Sequence, residues 1–313
     1  MYHTSTMAES AERTFATRPG QGVLNSILST VRKPPTLYHY TTQRGFLGII
    51  QTQELWATDH QCLNDTREFV HAKEVFYGEI EEMAKRANAD PLLAEMKSTL
   101  TVGRGFEEVN LYVASLSVEA DSLTQWRAYG GSASGFSLGF DTAGIEAVLP
   151  SNFRLVPCIY DEKEQRKTAR SLVAAILDQL RQNPKELTEL PNVTPYVEVL
   201  CRTELHTVAL LFKHKKFEEE MEWRIISSEP MMEDVLGWPS EGGAPLEFRE
   251  GKSILTPYRR VPLGNSSDRI PLAEVVVGPN PSPEQSVRSV RSLLKNQSIN
   301  ACCRVSEVPY RNW

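Results

Sequence analysis

Short apolar runs of strand length open and close this chain, and two long stretches of helical period interrupt them. LYHY (37–40), LWAT (55–58), NLYVASLS (110–117), FSLGFD (136–141), RLVPCIYD (154–161), EWRIIS (222–227), SILTPY (253–258), EVVVGP (274–279) and ACCRVSEVPY (301–310) read as strands. They are brief and rich in β-branched and aromatic residues. Apolar residues at helical spacing fill 43–52, the regions near 65–100 and 162–216, and 282–295. Strands and helices do not alternate regularly, so the class is α+β rather than a doubly wound parallel sheet. The pattern predicts about six or seven strands and two helical insertions in one domain. Pro34 and Pro35 stop any earlier helix, which sets residues 1–35 apart as an N-terminal extension and starts the folded unit, 36–313, near Thr36.

A length of 313 residues suffices for a full core without staples. The formal net charge of -6 gives no global positive field to hold nucleic acid non-specifically, though a local basic patch stays open. Five cysteines, an odd number without a CxxC pair, read as free thiols in a reducing cytosol. The chain holds no apolar run near the ~18 residues of a membrane span. The first 35 residues lack a signal-peptide core. The expected location is the cytoplasm, with no membrane partner.

GxGxxG, Walker A, HExxH and GxSxG motifs are all missing. Four segments carry what chemistry there is. In the first, His39 on a strand is followed by Tyr40, Thr41 and Thr42, polar groups suited to a ribose hydroxyl or an amide; the plainer reading is a strand histidine with a satisfied hydrogen bond. In the second, period two puts Ser115 and Ser117 on one strand face, and Trp126 and Tyr129, flanking Arg127, share a helical face that can stack a planar ring or simply join the core. In the third, Glu220 and Glu222 enter a strand on one side, continued by Arg224; they form a paired carboxylate site or a solvated acidic run. In the fourth, Arg249 and Lys252 flank a glycine before a strand that opens at Ser253, and can grip a phosphate or carboxylate or make an ordinary basic turn. Asp65 and Glu68 fit a helix capping box better than a metal site, even with His60 or His71 nearby, and no metal is expected.

Taken in order, LYHYTT, LWATD…LND, YVASLS…QWRAYG, EWRII and VVVGP resemble the bacterial domain-of-unknown-function family 2971 over roughly residues 36–310. The opening segment also resembles the ADP-ribosyltransferase superfamily: His39, Thr41 and Thr42, then Gly48-Ile49-Ile50 and the strand at Leu55. That resemblance implies a split β-sheet core with helical insertions, and NAD as substrate. By matching position, it makes Glu222 catalytic and Glu220 the acceptor-orienting residue. It places His39, Thr41, Ser115, Ser117 and Tyr129 around NAD, with His39 on a ribose and Tyr129, or Tyr112, stacking on nicotinamide; Tyr40, Trp126, Arg127, Arg249 and Ser253 complete the candidate NAD-binding residues. The toxin branch carries an arginine where this chain has His39, so the acceptor does not carry over. The implied function is ADP-ribosyl transfer to a protein or nucleic acid, as a toxin or anti-phage effector with a possible antitoxin or regulatory partner. A non-catalytic ligand-binding module, a NAD glycohydrolase and a metal nuclease using Asp65, Glu68, Glu220 and Glu222 are the competing readings.

Overall fold

A computed structural model of the chain describes residues 18–310 except 64–67, 88–89, 103–110, 132–134, 183–192, 228–244, 252 and 265–269. The fold is α+β, built on a mixed sheet of ten strands. These are β1 Thr36–Thr42, β2 Glu54–Asp59, β3 Tyr112–Ser117, β4 Gly135–Asp141, β5 Phe153–Pro157, β6 Glu222–Ser227, β7 Glu247–Glu250, β8 Leu255–Pro262, β9 Leu272–Val277 and β10 Cys302–Val305. Their order is β10-β9-β4-β1-β3-β2-β8-β7, with β6 on β3 and β5 on β6. Among the described strand pairs only β9–β10 is parallel.

The sheet forks at β3. β6 covers one edge of β3 from Val113 to Ser117. The other edge is shared: β2 meets it at Tyr112 and Val113, and β1 meets it at Ser117 alone. Away from β3, β1 pairs along its whole length with β4, and β2 pairs with β8. One leaf is therefore β1-β4-β9-β10 and the other β2-β8-β7, with a gap between them opposite Ser115.

Helices cover both faces: α1 Pro19–Thr30, α2 Gln43–Thr52, α3 Glu68–Arg86, α4 Pro91–Val102, α5 Leu123–Tyr129, α6 Thr142–Val148, α7 Glu162–Gln182, α8 Val193–Ala209 and α9 Pro283–Asn296. Period two divides β3 between two cores, with Tyr112, Ala114 and Leu116 facing one and Val113 the other. Phe46 and Ile50 of α2, Ile145 of α6, and Val287, Val290 and Leu294 of α9 fill the first. The second lies under a layer made by α1, α3, α4, α7 and α8, where Leu172, Val173, Ile176, Leu177 and Leu180 give α7 its buried stripe. Local chemistry sets the ends of α2: the Thr42 hydroxyl accepts from Gly45 N–H at 3.2 Å, and Gln53 turns left-handed at φ 55°.

Three expectations need correction. The folded unit takes in part of the segment set apart before Thr36, because Val23 and Leu24 of α1 are buried and Gly20 N–H donates to Glu204 at 2.6 Å. Among the described residues ten strands replace the expected six or seven: all nine segments that read as strands pair into the sheet, and β7, short and exposed, adds one where glycine and proline hid any strand signal. Helical period overran the end of α8, which stops at Ala209 and gives way to a 3-10 turn, Lys215–Glu220. Asp65 of the expected capping box and Lys252 of the basic turn lie outside the described residues.

Candidate functional site

His39 stands in the gap of the fork. Its Nδ1 lies 2.9 Å from the Ser115 carbonyl, a group the split leaves without a strand partner on that side. A carbonyl only accepts, so Nδ1 carries the proton and Nε2 is left as an acceptor. Burial, reinforced by the nearby Arg249 charge, pushes the His39 pKa below the ordinary histidine value and keeps the ring neutral. Arg249 comes from the other leaf and donates to Thr58 Oγ1 at 2.9 Å. Thr41 packs so closely that a Cβ on Gly45 would come within 2.0 Å of its Oγ1, which explains the glycine at the start of α2.

Behind the fork, the β6 register sets Glu222 opposite Ser117 and Arg224 opposite Ser115. Three side-chain contacts of Glu222, two of them cationic, converge on one oxygen. Oε2 accepts from Lys213 Nζ at 2.5 Å, Arg224 at 2.9 Å and the Cys158 thiol at 3.5 Å. Its backbone N–H donates to Tyr160 Oη at 2.9 Å. Burial alone would raise the Glu222 pKa; the Arg224 and Lys213 charges outweigh it and hold the carboxyl at about 2. The cluster continues through Arg224, which donates to Glu68 at 2.7 Å and to the Leu210 carbonyl at 2.8 Å. Burial pushes the Glu68 carboxyl and the Cys158 thiol up, so Cys158 stays a neutral donor.

Glu220 corrects one expectation. It ends the 3-10 turn instead of entering the strand, and Met221 follows in a left-handed conformation at φ 42°. The two carboxylates still meet, because Lys213 Nζ bridges Glu220 and Glu222 at 2.5 Å each. The Ser117 hydroxyl pins the turn by donating to the Glu220 carbonyl at 2.8 Å.

The aromatic group lies on the β1-β4-β9 leaf. Tyr40 is buried, donates to the Glu119 carbonyl at 2.7 Å and accepts from Ser122 N–H at 2.9 Å. Trp126 meets it edge-on at 4.8 Å, donates to Asp121 at 2.7 Å and is 2% exposed, so neither indole face is open. Tyr129 is half-buried against the same cluster. Arg127 points outward to the Tyr310 ring at 5.3 Å, and Ser253 is exposed in the β7–β8 connection.

The structure thus brings His39, Ser115, Ser117, Glu220 and Glu222 onto three neighbouring strands or their ends, with Arg249 approaching from across the fork. By the pleat, His39 leaves β1 on the Leu37 face, whereas Glu222 leaves β6 toward the helical layer. The two side chains therefore stand on opposite faces of the sheet, on either side of β3. Sequence reasoning missed Lys213, Cys158 and Tyr160. The one available signal was Arg224 itself: a cation inside the apolar run WRII must find buried partners. Among the described residues no group of three or more His, Cys, Asp or Glu is placed to hold a metal. No described helix is long and apolar enough to cross a membrane.

No curated protein matches the chain. Among solved structures it is similar to DarT of Thermus sp. 2.9 in complex with ADP-ribosylated ssDNA, at 14% identity and a TM-score of 0.31, over 88% of this chain and 96% of that one. A family model described as "Protein of unknown function (DUF2971)" matches residues 125–225, from α5 into β6. The chain therefore resembles that family over a narrower span than residues 36–310, one that contains Trp126, Tyr129, Glu220 and Glu222.

Proposed function

We propose that this chain is an NAD-consuming ADP-ribosyltransferase acting on a macromolecular acceptor, protein or nucleic acid, in the bacterial cytoplasm as a toxin or anti-phage effector. The observation that carries the reading is the fork, where a neutral histidine and an ionised glutamate stand on strands flanking β3. With Nδ1 committed to Ser115, His39 Nε2 accepts from a ribose hydroxyl. Arg249 reaches into the same gap from the other leaf and suits the pyrophosphate. Cleavage of the nicotinamide–ribose bond passes through an oxocarbenium-like state, for which a fixed carboxylate supplies negative charge. The bonds on Glu222 fall on Oε2, and Oε1 takes part in none of them among the described residues. Glu220, on the same lysine, is the acceptor-side carboxylate.

A second reading has one specific observation in its favour. Glu222 is 5% exposed and bound to two cations, as a structural ion pair would be. In that case the fold is a non-catalytic ligand-binding module. The deciding experiment incubates the protein and its Glu222→Gln variant with adenylate-labelled NAD and a cell lysate. Nicotinamide release and label on macromolecules are followed together. Release by the wild type, lost in the variant, supports the enzyme. Release without label makes water the acceptor, and saturable NAD binding without turnover supports the module.

A further inference from the structure

The end of the sheet opposite β7 is open. β10 runs parallel to β9 and carries no strand on its outer side among the described residues. Ser306 N–H donates to the Val277 carbonyl, so by alternation the backbone groups of Cys303 and Val305 face outward. The Arg291 guanidinium takes the Cys303 carbonyl at 3.2 Å, as expected for a group on an open edge. Among the described residues the Val305 N–H and C=O and the Cys303 N–H take no strand partner, and they stand at ladder spacing.

Beside this edge lies a groove of about 490 Å³ between α9 and β10, with Val287 and Val305 in its wall and Arg288, Arg291 and Lys295 along its rim. The three cations are exposed and recur three and four residues apart, so they form one row on the helix. No ion pair with an acidic side chain engages any of them among the described residues, and Glu284 is the one acid in the groove. On a chain of net charge -6, this row is a positive exception.

We propose that the α9–β10 groove binds an extended acidic peptide segment of a protein partner. The segment adds a strand to β10 and presents acidic side chains at alternate positions to Arg288, Arg291 and Lys295. The dimensions agree: the row spans about 10 Å at the helical rise, and residues i, i+2 and i+4 of a strand span about 13 Å. The open N–H and C=O groups select a peptide over a nucleic acid, which would use the cations alone. Charge complementarity with the row favours the encounter with an acidic partner.

The test titrates the full chain into fluorescein-labelled Glu-Val-Glu-Val-Glu-Val-Glu and reads anisotropy. The expected result is saturable binding that weakens with salt. It falls about tenfold or more in the double variant Arg288→Glu, Lys295→Glu. It falls similarly in Val305→Pro, which removes an outward N–H without touching the ladder to β9. Should Val305→Pro fail to melt like the wild type, a peptide N-methylated at alternate residues removes the same bonds from the other side. The proposal is overturned by an absence of saturable binding, or by equal binding of the block peptide Glu-Glu-Glu-Glu-Val-Val-Val. It is equally overturned by a backbone block that leaves affinity unchanged, or by tighter binding of a short oligothymidine.

Discussion

Replacing Arg224 by methionine should cost more stability than any other single change around the fork. The guanidinium is 1% exposed and donates to Glu68, Glu222 and the Leu210 carbonyl. Arg224 and Lys213 stand against Glu68, Glu220 and Glu222, a formal charge of -1 for the cluster. Arg224→Met leaves Lys213 alone against three carboxylates, formally -2, in a largely buried cluster. Removing one partner of a buried ion pair costs about 3–5 kcal/mol, because the remaining charge keeps its desolvation penalty. Glu222→Gln runs the other way: two cations then face two carboxylates, and the amide oxygen still accepts. Its cost is the charge assistance alone, about 1–2 kcal/mol. At about 2–4 °C per kcal/mol, Arg224→Met lowers Tm by roughly 6–20 °C and Glu222→Gln by a few degrees. Circular-dichroism melts and urea titrations at pH 7 read both, beside nicotinamide release. The reasoning is refuted if Arg224→Met stays within about 1 kcal/mol of the wild type, or if Glu222→Gln proves the more damaging change.

Three further outcomes follow from the same geometry. Burial, aided by the His206 charge, holds the His60 pKa at about 4 in the folded chain against an ordinary 6.5. The stability of the neutral ring is therefore complete above pH 6.5 and is lost as pH falls toward 4; His60→Asn should flatten that limb of the urea-midpoint profile, and an unchanged slope removes His60 as its source. His39→Ala should weaken NAD binding about tenfold by calorimetry, the loss of one buried hydrogen bond, whereas an unaltered Kd takes His39 out of the site. A chain beginning at Thr36 lacks Leu24 and strips buried Glu204 of Arg18 and the Gly20 N–H. It should lose about 4 kcal/mol or more in urea, and wild-type stability would make α1 dispensable.

The sequence was most legible where a single periodicity governs a segment. The strands at Leu37, Tyr112, Phe136 and Trp223 and the stripe of α7 announce themselves, because burial on one face imposes the pattern directly. Ser115, Ser117 and Glu222 were readable through alternation, whereas Glu220 ends a turn and meets Glu222 only through Lys213. Lys213 was not: it sits in the run KHKK, where nothing local tells the buried cation from the exposed ones. Its environment comes from Glu222 and Glu220, which reach it through a turn that helical period had written over. Trp126 was ambiguous for a related reason, since an aromatic on a helical turn reads the same whether it meets a ligand or Tyr40.

The fork follows from an arithmetic of strand edges that no local pattern carries. β3 has two edges; β6 takes one, and β1 and β2 compete for the other. Since β1 gains its full length from β4 and β2 gains most of its length from β8, each yields on β3 and touches only one end of it. The residue stranded between them is Ser115, whose carbonyl then needs a donor. His39, the one imidazole on β1, meets it, and the tautomer of the ring is fixed by that backbone need. Arg249, on the leaf that gave way on the other side, donates to Thr58 and lies near enough for its charge to bear on His39. Each leaf therefore contributes a polar side chain to a gap that strand pairing cannot close, while the ion cluster around Arg224 anchors the third strand behind it. A ligand spanning His39 and Arg249 would join the two leaves, so binding should stiffen β1 and β2 together, with slower amide exchange at both strands and little change in β6.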